Sequence, residues 1–205
     1  MLTLFYGPRT CSLAPHIVLE ESGEKYEPRK LDLSKGEHRT EAYRKINPHA
    51  RVPALLLDSG EPLTENTAIL PYLGKRYNLW PTDPIEEARA LSIIGFFSTM
   101  VHPANGHVNR PERYATDPST HENIRQTGLA SLHGYLKETD QLLAGKQWLL
   151  GDRYTVVDPF ALVFYNWGLR KDLPVTELKN YTAHKDRLLK RPAVQRALDD
   201  EGITL

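Results

Sequence analysis

The hydrophobic periodicity of this chain changes at one place, a polar segment that contains two prolines. Residues 78–84 read Asn-Leu-Trp-Pro-Thr-Asp-Pro, and prolines within such a stretch between two helical patterns indicate a boundary between folding units. Ahead of this segment, short strand-like runs alternate with helical ones, whereas the periodic runs behind it have helical spacing. The sequence therefore predicts an α/β domain at residues 1–78 and an all-helical domain at residues 85–205, with a linker at 78–84.

The first domain has the predicted element order βαβαββα. A strand at residues 2–6 ends at Gly7-Pro8, and a helix begins at Ser12 and stops near Gly23. The other elements expected in this domain are strands at 26–33, 52–57 and 62–64 and helices at 41–45 and 67–77. Behind the linker we expect helices at 85–101, 122–143, 156–169, 177–189 and 193–200.

Composition limits which binding partners and which cellular compartment we expect for this protein. The 26 lysines and arginines equal the 26 aspartates and glutamates, so no net charge draws the chain to nucleic acid or to an anionic membrane. The opening residues lack a secretory signal, and no apolar run reaches the roughly 20 residues of a membrane span, so we expect a cytoplasmic protein. A single cysteine excludes internal disulfides and a cysteine-rich zinc site, and we expect no bound metal.

That cysteine, Cys11, lies in the turn between the first strand and the first helix. Unpaired backbone N–H groups at a helix N-terminus lower the pKa of a thiol and favour the thiolate. A reactive sulfur is one interpretation of this position, and a small buried cysteine that fills a gap in the core is the other.

Two further turns carry candidate binding groups. Pro53 stands at the entry to a strand, where a cis Val52–Pro53 bond would turn the Val52 backbone outward; an ordinary trans proline is the alternative. Glu65 and Asn66 stand at the start of a helix, where free N–H groups and a carboxylate suit a ligand that carries both a carboxylate and an ammonium. Simple capping of that helix is the alternative.

These three turns, in this order and at this spacing, resemble the thioredoxin-like domain of glutathione transferases. The turn with Tyr6, Cys11 and Ser12 is most similar to that of the bacterial beta class. The resemblance continues in the second domain, where residues 151–158 are similar to the buried capping element of the family and Thr155 and Asp158 have capping-box spacing. It implies a mixed four-stranded sheet in a thioredoxin-like N-terminal domain, followed by an all-α C-terminal domain.

The resemblance also implies residue roles. Catalytic roles fall to Cys11, Ser12 and His102. The residues implied to bind glutathione are Tyr6, Cys11, Lys35, Arg51, Val52, Pro53, Glu65 and Asn66.

For the residues that lie outside the three turns, the sequence leaves an alternative to each implied role. Lys35 has the alternative of a solvated surface lysine. Pro103 would kink or end the helix that carries His102, which leaves His107 as a competing candidate. Phe164 and Trp167 are implied to line the electrophile site, with core packing as the alternative.

The implied function is conjugation of glutathione, the co-substrate, to electrophilic small molecules, together with thiol–disulfide exchange through Cys11. One alternative is a glutathione-dependent thiol–disulfide oxidoreductase or peroxidase, and another is a non-catalytic ligand-binding module of the same fold. The family resemblance further implies a homodimer, and we expect neither nucleic acid nor a membrane as a partner.

Overall fold

A computed structural model describes residues 1–205. Its first 76 residues fold around a four-stranded sheet in the order β2-β1-β3-β4. β1 runs parallel to β2 and antiparallel to β3, and β3 pairs antiparallel with β4, so the predicted mixed sheet is confirmed. The elements of this part are β1 (Thr3–Tyr6), α1 (Leu13–Ser22), β2 (Glu27–Lys30), α2 (Glu41–Arg44), β3 (Ala54–Leu56), β4 (Pro62–Thr64) and α3 (Asn66–Arg76).

The rest of the chain is helical, as predicted. A non-helical connection at residues 77–83 leads into it, and Asp83 caps the next helix by accepting hydrogen bonds from the backbone of Ile85 and Glu86. The α-helices are α4 (Pro84–Phe96), α5 (His102–Asn109), α6 (His121–Leu142), α7 (Val157–Leu169), α8 (Lys179–Leu189) and α9 (Pro192–Glu201). None of these helices combines the length and the apolar character that crossing a membrane requires.

The helix predicted at residues 85–101 was expected to end just before His102, and this expectation is wrong. A π-helical turn at Phe97–Val101 joins α4 to α5, so helical backbone continues to Asn109. Proline lacks an N–H and its ring crowds the carbonyl of the preceding turn, which disrupts a regular α-helix. Pro103 sits immediately behind the wider π turn, in the first turn of α5, where this conflict is relieved.

α1 and α7 lie at the centre of the molecule. Every residue of α7 from Val157 to Gly168 is buried, and α1 is buried from Leu13 to Leu19. α1 packs against α3 of its own domain and also against α7 and α9, so one continuous core joins the sheet to the helical part. Helices that are covered on all sides carry apolar residues on all faces, as α7 does.

The predicted capping element precedes α7 and is built around the buried carboxylate of Asp158. One oxygen of Asp158 accepts a hydrogen bond from the Leu149 backbone at 2.9 Å and lies 2.9 Å from Nε2 of His184. The other accepts from the backbone N–H of Thr155 at 2.8 Å and from its hydroxyl at 3.3 Å. A buried carboxylate with this many partners fixes the start of α7, and with it the helix that reaches the candidate site.

Candidate active site

A cleft of about 760 Å³ lies between the sheet-containing part and the helical part. Its walls bring together eight residues that the sequence singled out: Cys11, Arg51, Val52, Pro53, Glu65, Asn66, His102 and Trp167. The first six come from three turns of the N-terminal part, and the last two come from α5 and α7. Cys11 is 8% exposed, so its thiol lies at the edge of the cleft rather than in solvent.

The turn that carries Cys11 is held by a network of hydroxyl hydrogen bonds. Ser12 is fully buried, and its Oγ accepts from the Gly7 backbone N–H at 3.1 Å and lies 2.7 Å from the Thr10 hydroxyl. Thr10 in turn donates to the Gly7 carbonyl at 2.8 Å. Ser12 does not line the cleft. The structure thus places this predicted catalytic residue inside the turn, where it shapes the backbone around Cys11.

Two distant helices also hold this turn. Arg9 adopts φ 65, its N–H donates to the Glu201 carboxylate at 2.8 Å, and its guanidinium donates to the carbonyl of Gly202 at 2.7 Å. The indole of Trp167 donates to the Arg9 carbonyl at 3.1 Å. The other oxygen of Glu201 lies 3.0 Å from Nδ1 of the buried His16. The backbone next to Cys11 is therefore fixed by α7 and α9.

The expectation of a lowered thiol pKa is wrong for the ligand-free protein. Burial raises the pKa of Cys11 to about 12, and the negative charge of Glu65 adds to this effect. A backbone hydrogen bond in the turn and the positive charge of Arg51 oppose it, but they are smaller. α1 begins only at Leu13, two residues beyond the sulfur, and the Cys11 thiol donates to the Val52 carbonyl at 3.5 Å. Desolvation therefore outweighs the helix N-terminus, and Cys11 remains a thiol.

The second turn is fixed from behind. The Val52–Pro53 peptide bond is cis, so the first of the two interpretations holds. The carbonyl of Arg51 accepts hydrogen bonds from the Tyr43 hydroxyl at 2.6 Å and from the Asn47 side-chain amide at 2.8 Å. Half-buried Val52 consequently keeps its backbone at the cleft, beside Cys11.

The third turn does not serve as a helix cap. Glu65 stands at the N-cap position of α3 without a side-chain capping bond, and Asn66 donates instead to the carbonyl of Cys11 at 2.9 Å. The Oδ1 of Asn66 is buried without a partner. Glu65 adopts φ 69 and ψ 132, a conformation that costs a non-glycine residue about 1–3 kcal/mol. Strained backbone and an unpartnered buried oxygen at one turn are features of a ligand site.

The structure places three other predicted residues outside the cleft. Tyr6 is buried against the ring of His16 at 4.8 Å, and burial, then the charges of Glu201 and Asp200, raises its pKa. The side chain of Lys35 is 76% exposed and lies 3.5 Å from Asp32, as in the surface-lysine alternative. Phe164 belongs to the core and stacks on Phe97 at 5.0 Å, so of the two aromatic candidates Trp167 alone lines the cleft.

His102, not His107, faces the cleft. Its ring lies 5.1 Å from that of Trp167, whereas the His107 ring lies 3.9 Å from Tyr114 and outside the cleft. Burial lowers the pKa of His102 to about 4, helped by the positive charges of Arg51 and Arg110. At neutral pH this histidine is therefore an uncharged imidazole.

The cleft also contains polar residues that sequence reasoning missed. On its helical side they include Asn105, Asn109, Arg110, Arg113, Arg170 and Lys171. They lie on α5, just beyond it, and just beyond α7. Asn105 lies three residues after His102 and Asn109 four residues after Asn105, so a helix continued past residue 101 would have placed both asparagines on the same face as His102.

Known proteins share this architecture over the whole chain. The model of the glutathione S-transferase N-terminal domain matches residues 1–75, and that of the glutathione S-transferase C-terminal domain matches residues 91–192. Glutathione S-transferase GstA of Escherichia coli O157:H7 is 33% identical over 207 residues, which cover 98% of this chain and 100% of the relative.

Two solved structures superpose closely. A glutathione transferase homologue from Sulfitobacter with bound glutathione is 28% identical, with a TM-score of 0.93 over 100% of this chain and 99% of that one. A bacterial beta class glutathione S-transferase from Sphingomonas chungbukensis is 30% identical, with a TM-score of 0.86 over 98% and 100% of the two chains. With both domain models matched and a relative of this identity covered over its full length, the chain belongs to the glutathione S-transferase family.

Proposed function

We propose that this protein conjugates glutathione to electrophilic small molecules, with glutathione bound at the Cys11 end of the cleft. The observation that carries the proposal is the meeting of three sequence-distant turns there, with Cys11, Val52, Glu65 and Asn66 together and the Oδ1 of Asn66 unpartnered. The solved Sulfitobacter homologue contains glutathione, and its structure superposes on the whole of this chain.

Each group at this end of the cleft suits one part of glutathione. Glu65 is the only carboxylate that lines the cleft, and it can pair with the γ-glutamyl ammonium. The Val52 backbone offers its polar groups to the cysteinyl backbone. Arg51, which is adjacent to Val52 in the chain and lines the cleft, replaces the outlying Lys35 as the cation that we assign to a glutathione carboxylate.

The raised pKa of Cys11 gives the thiol a defined role. A protonated Cys11 donates its S–H to the sulfur of glutathione and stabilises that sulfur as a thiolate. The glutathione thiolate then attacks the electrophilic carbon, an S–C bond forms, and the leaving group departs with the bonding electrons. A thiol with this pKa is a poor nucleophile, which argues against thiol–disulfide exchange through Cys11 as the main activity.

Further features belong to the same proposal. We assign the protein to the beta class because its structure is similar to that of the Sphingomonas chungbukensis enzyme. We also assign it a cytoplasmic location and a role in detoxification. The domain boundary falls at residues 78–84, between the segments that the two domain models match.

A homodimer is supported by exposed apolar side chains on one helical stretch, Ile85, Leu91 and Met100. The mass of the protein in solution should therefore be about twice the 23.3 kDa of one chain.

The test is glutathione binding by calorimetry in wild type, Glu65→Gln and the matched control Glu61→Gln. Glu61 is exposed on the β3–β4 hairpin and does not line the cleft. Loss of a charged partner should raise the Kd of Glu65→Gln about tenfold or more, with no change in the control. Turnover of chlorodinitrobenzene should accompany binding. Equal affinity in all three proteins, or no binding by wild type, would refute the proposed site.

A further inference from the structure

The charge of the cleft differs from that of the whole protein. The chain has a formal net charge of +0, yet eight cationic side chains line the cleft and Glu65 is its only carboxylate. Four of the cations, Arg9, Arg39, Arg44 and Arg51, belong to the N-terminal part, and the other four belong to the helical part. Low-dielectric walls that carry charge of one sign concentrate ligands of the opposite sign.

None of these eight cations forms an ion pair with a carboxylate. Ten other lysines and arginines of the protein do, including Arg191 with Glu21 and Arg196 with Glu20. Arg44 donates to a backbone carbonyl, and Lys171 donates to the side chain of Asn109. More than half of the lysines and arginines outside the cleft thus form an ion pair with a carboxylate, whereas none of the eight in the cleft does.

Burial and like charge both act on the pKa values of the cleft cations. Burial lowers the pKa of Arg110, and the charges of Arg113 and Arg39 lower it further. Burial and then Arg170 lower the pKa of Lys171. Glu112 is the one carboxylate that acts in the opposite direction on Arg110. A ligand that carries negative charge would relieve this repulsion.

Glutathione does not account for all of these cations. Its two carboxylates and its thiolate are its only anionic groups, it also brings an ammonium, and the turns that suit it lie on the N-terminal side. The groups across the cleft form a second set, which we call the helical wall: Asn105, Asn109, Arg110, Arg113, Arg170 and Lys171.

Asn105 marks the helical wall as a built site. Its side chain is 7% exposed and lines the cleft, and its Oδ1 is buried without a hydrogen-bond partner. Buried polar atoms are normally satisfied, so an open one beside a cluster of unpaired cations indicates a ligand. His102 connects the two sides, since both Arg51 and Arg110 act on its ring.

We propose that the electrophile of this enzyme is an anion, a small molecule whose carboxylate binds the helical wall while its reactive carbon faces the glutathione sulfur. This inference rests on the proposed function and adds the substrate class. In an aromatic or vinylic substitution, the sulfur lone pair forms the S–C bond and the halide leaves with its bonding pair. In an addition, the π pair moves to the neighbouring carbon, which then takes a proton from water.

The experiment compares chlorodinitrobenzoate with the corresponding benzamide, which keeps the ring and the leaving group but carries no charge. The kcat/KM of each at saturating glutathione is divided by its uncatalysed rate constant. Wild type should favour the benzoate by about tenfold or more, the size of one good charge-assisted contact. This preference should fall as ionic strength rises, while the benzamide rate stays constant.

Two double variants locate the effect. Arg110→Gln with Arg113→Gln should lower kcat/KM for the benzoate about tenfold more than kcat/KM for the benzamide, which removes most of the benzoate preference. The matched control, Arg89→Gln with Arg125→Gln, changes two exposed arginines outside the cleft and should keep the preference. A phosphonate in place of the carboxylate separates a carboxylate site from a general anion site: weaker turnover supports the carboxylate, and stronger turnover overturns it.

The outcomes separate this inference from the proposed function. Equal wild-type turnover of benzoate and benzamide, or an unchanged preference in the cleft variant, would overturn the anionic electrophile while leaving conjugation intact. Calorimetry with the glutathione conjugates of the benzoate and of the benzamide measures the same preference as a difference in Kd, without turnover. If neither conjugate binds and neither substrate reacts, the proposed function itself fails, and the anionic electrophile fails with it.

Discussion

The alkylation rate of Cys11 tests the chemistry assigned to the active-site turn. The pKa of this thiol is about 12, against an ordinary value of 9.0. Three units correspond to about a thousandfold less thiolate at any pH well below both values, and the thiolate is the species that reacts with iodoacetamide. The more basic thiolate is also the stronger nucleophile, which offsets part of this difference, so the folded protein should react about thirtyfold more slowly than the same chain unfolded in denaturant.

Two charge variants separate the causes of this shift. Glu65→Gln removes the second-largest contribution that raises the pKa of Cys11, so it should accelerate alkylation. Arg51→Gln removes a positive charge that lowers the pKa, so it should slow the reaction. Opposite changes in rate from these two variants would show that electrostatics, and not access of the reagent alone, controls the thiol.

Intact-mass spectrometry measures the rate, because the chain has one cysteine and each added group gives one mass shift. Rates collected from pH 7 to 10 should rise about tenfold per pH unit without reaching a plateau. Since the folded pKa exceeds the unfolded one, Cys11 contributes stability below pH 9 and loses it as the pH rises towards 12. A plateau below pH 9, or a folded rate equal to the unfolded rate, would refute the assignment of Cys11 as a hydrogen-bond donor.

Three further results are expected. Asp158→Asn removes a buried carboxylate with four hydrogen-bond contacts, which should lower the free energy of unfolding by about 3–5 kcal/mol and the calorimetric Tm by at least about 6 °C. The control Asp152→Asn changes an exposed residue and should leave the Tm nearly unchanged. Equal Tm values for the two variants would contradict the capping role of Asp158. Glu201→Gln changes a buried carboxylate that contacts both Arg9 and His16, so it should lower kcat of conjugation severalfold and also lower the Tm; unchanged kinetics would remove Glu201 from the support of the turn. Because the pKa of His102 is about 4, the ratio of wild-type to His102→Gln kcat/KM should stay constant from about pH 5.5 to 7.5, and an inflection near 6.5 would show a charged imidazole.

Much of the fold could be predicted because its patterns are local. Alternation at residues 2–6, the turn at Gly7-Pro8 and helical spacing from Ser12 depend only on neighbouring residues, and the structure has β1 and α1 there. The helix containing His102 was cut short because the disruptive effect of Pro103 is also local, while the π turn that accommodates it forms within a packed core around Phe97.

Sequence patterns singled out residues that meet in the cleft, such as Cys11, Val52 and Glu65, but they did not indicate its electrostatics. Position at a turn suggested an ionised Cys11, whereas the sign of its pKa shift depends on burial beneath other elements and on Glu65, 54 residues away. In the same way, the balanced composition gave no indication of the cationic cleft, because net charge does not depend on where the charged side chains lie in the fold. Arg110 and Arg170 are 60 residues apart and become neighbours of one cavity only in the folded chain.

The contacts of Arg9 bear on how this protein is made. The hydrogen bond from Arg9 to Glu201 spans 192 positions of the chain, and the bond from Trp167 to Arg9 spans 158. A ribosome delivers the turn with Cys11 early and the groups that hold it late, so a nascent chain cannot present a finished catalytic turn until nearly all of its helices have emerged and packed. Incomplete translation products would retain the reactive-site sequence without its anchors, and activity would report on completed synthesis.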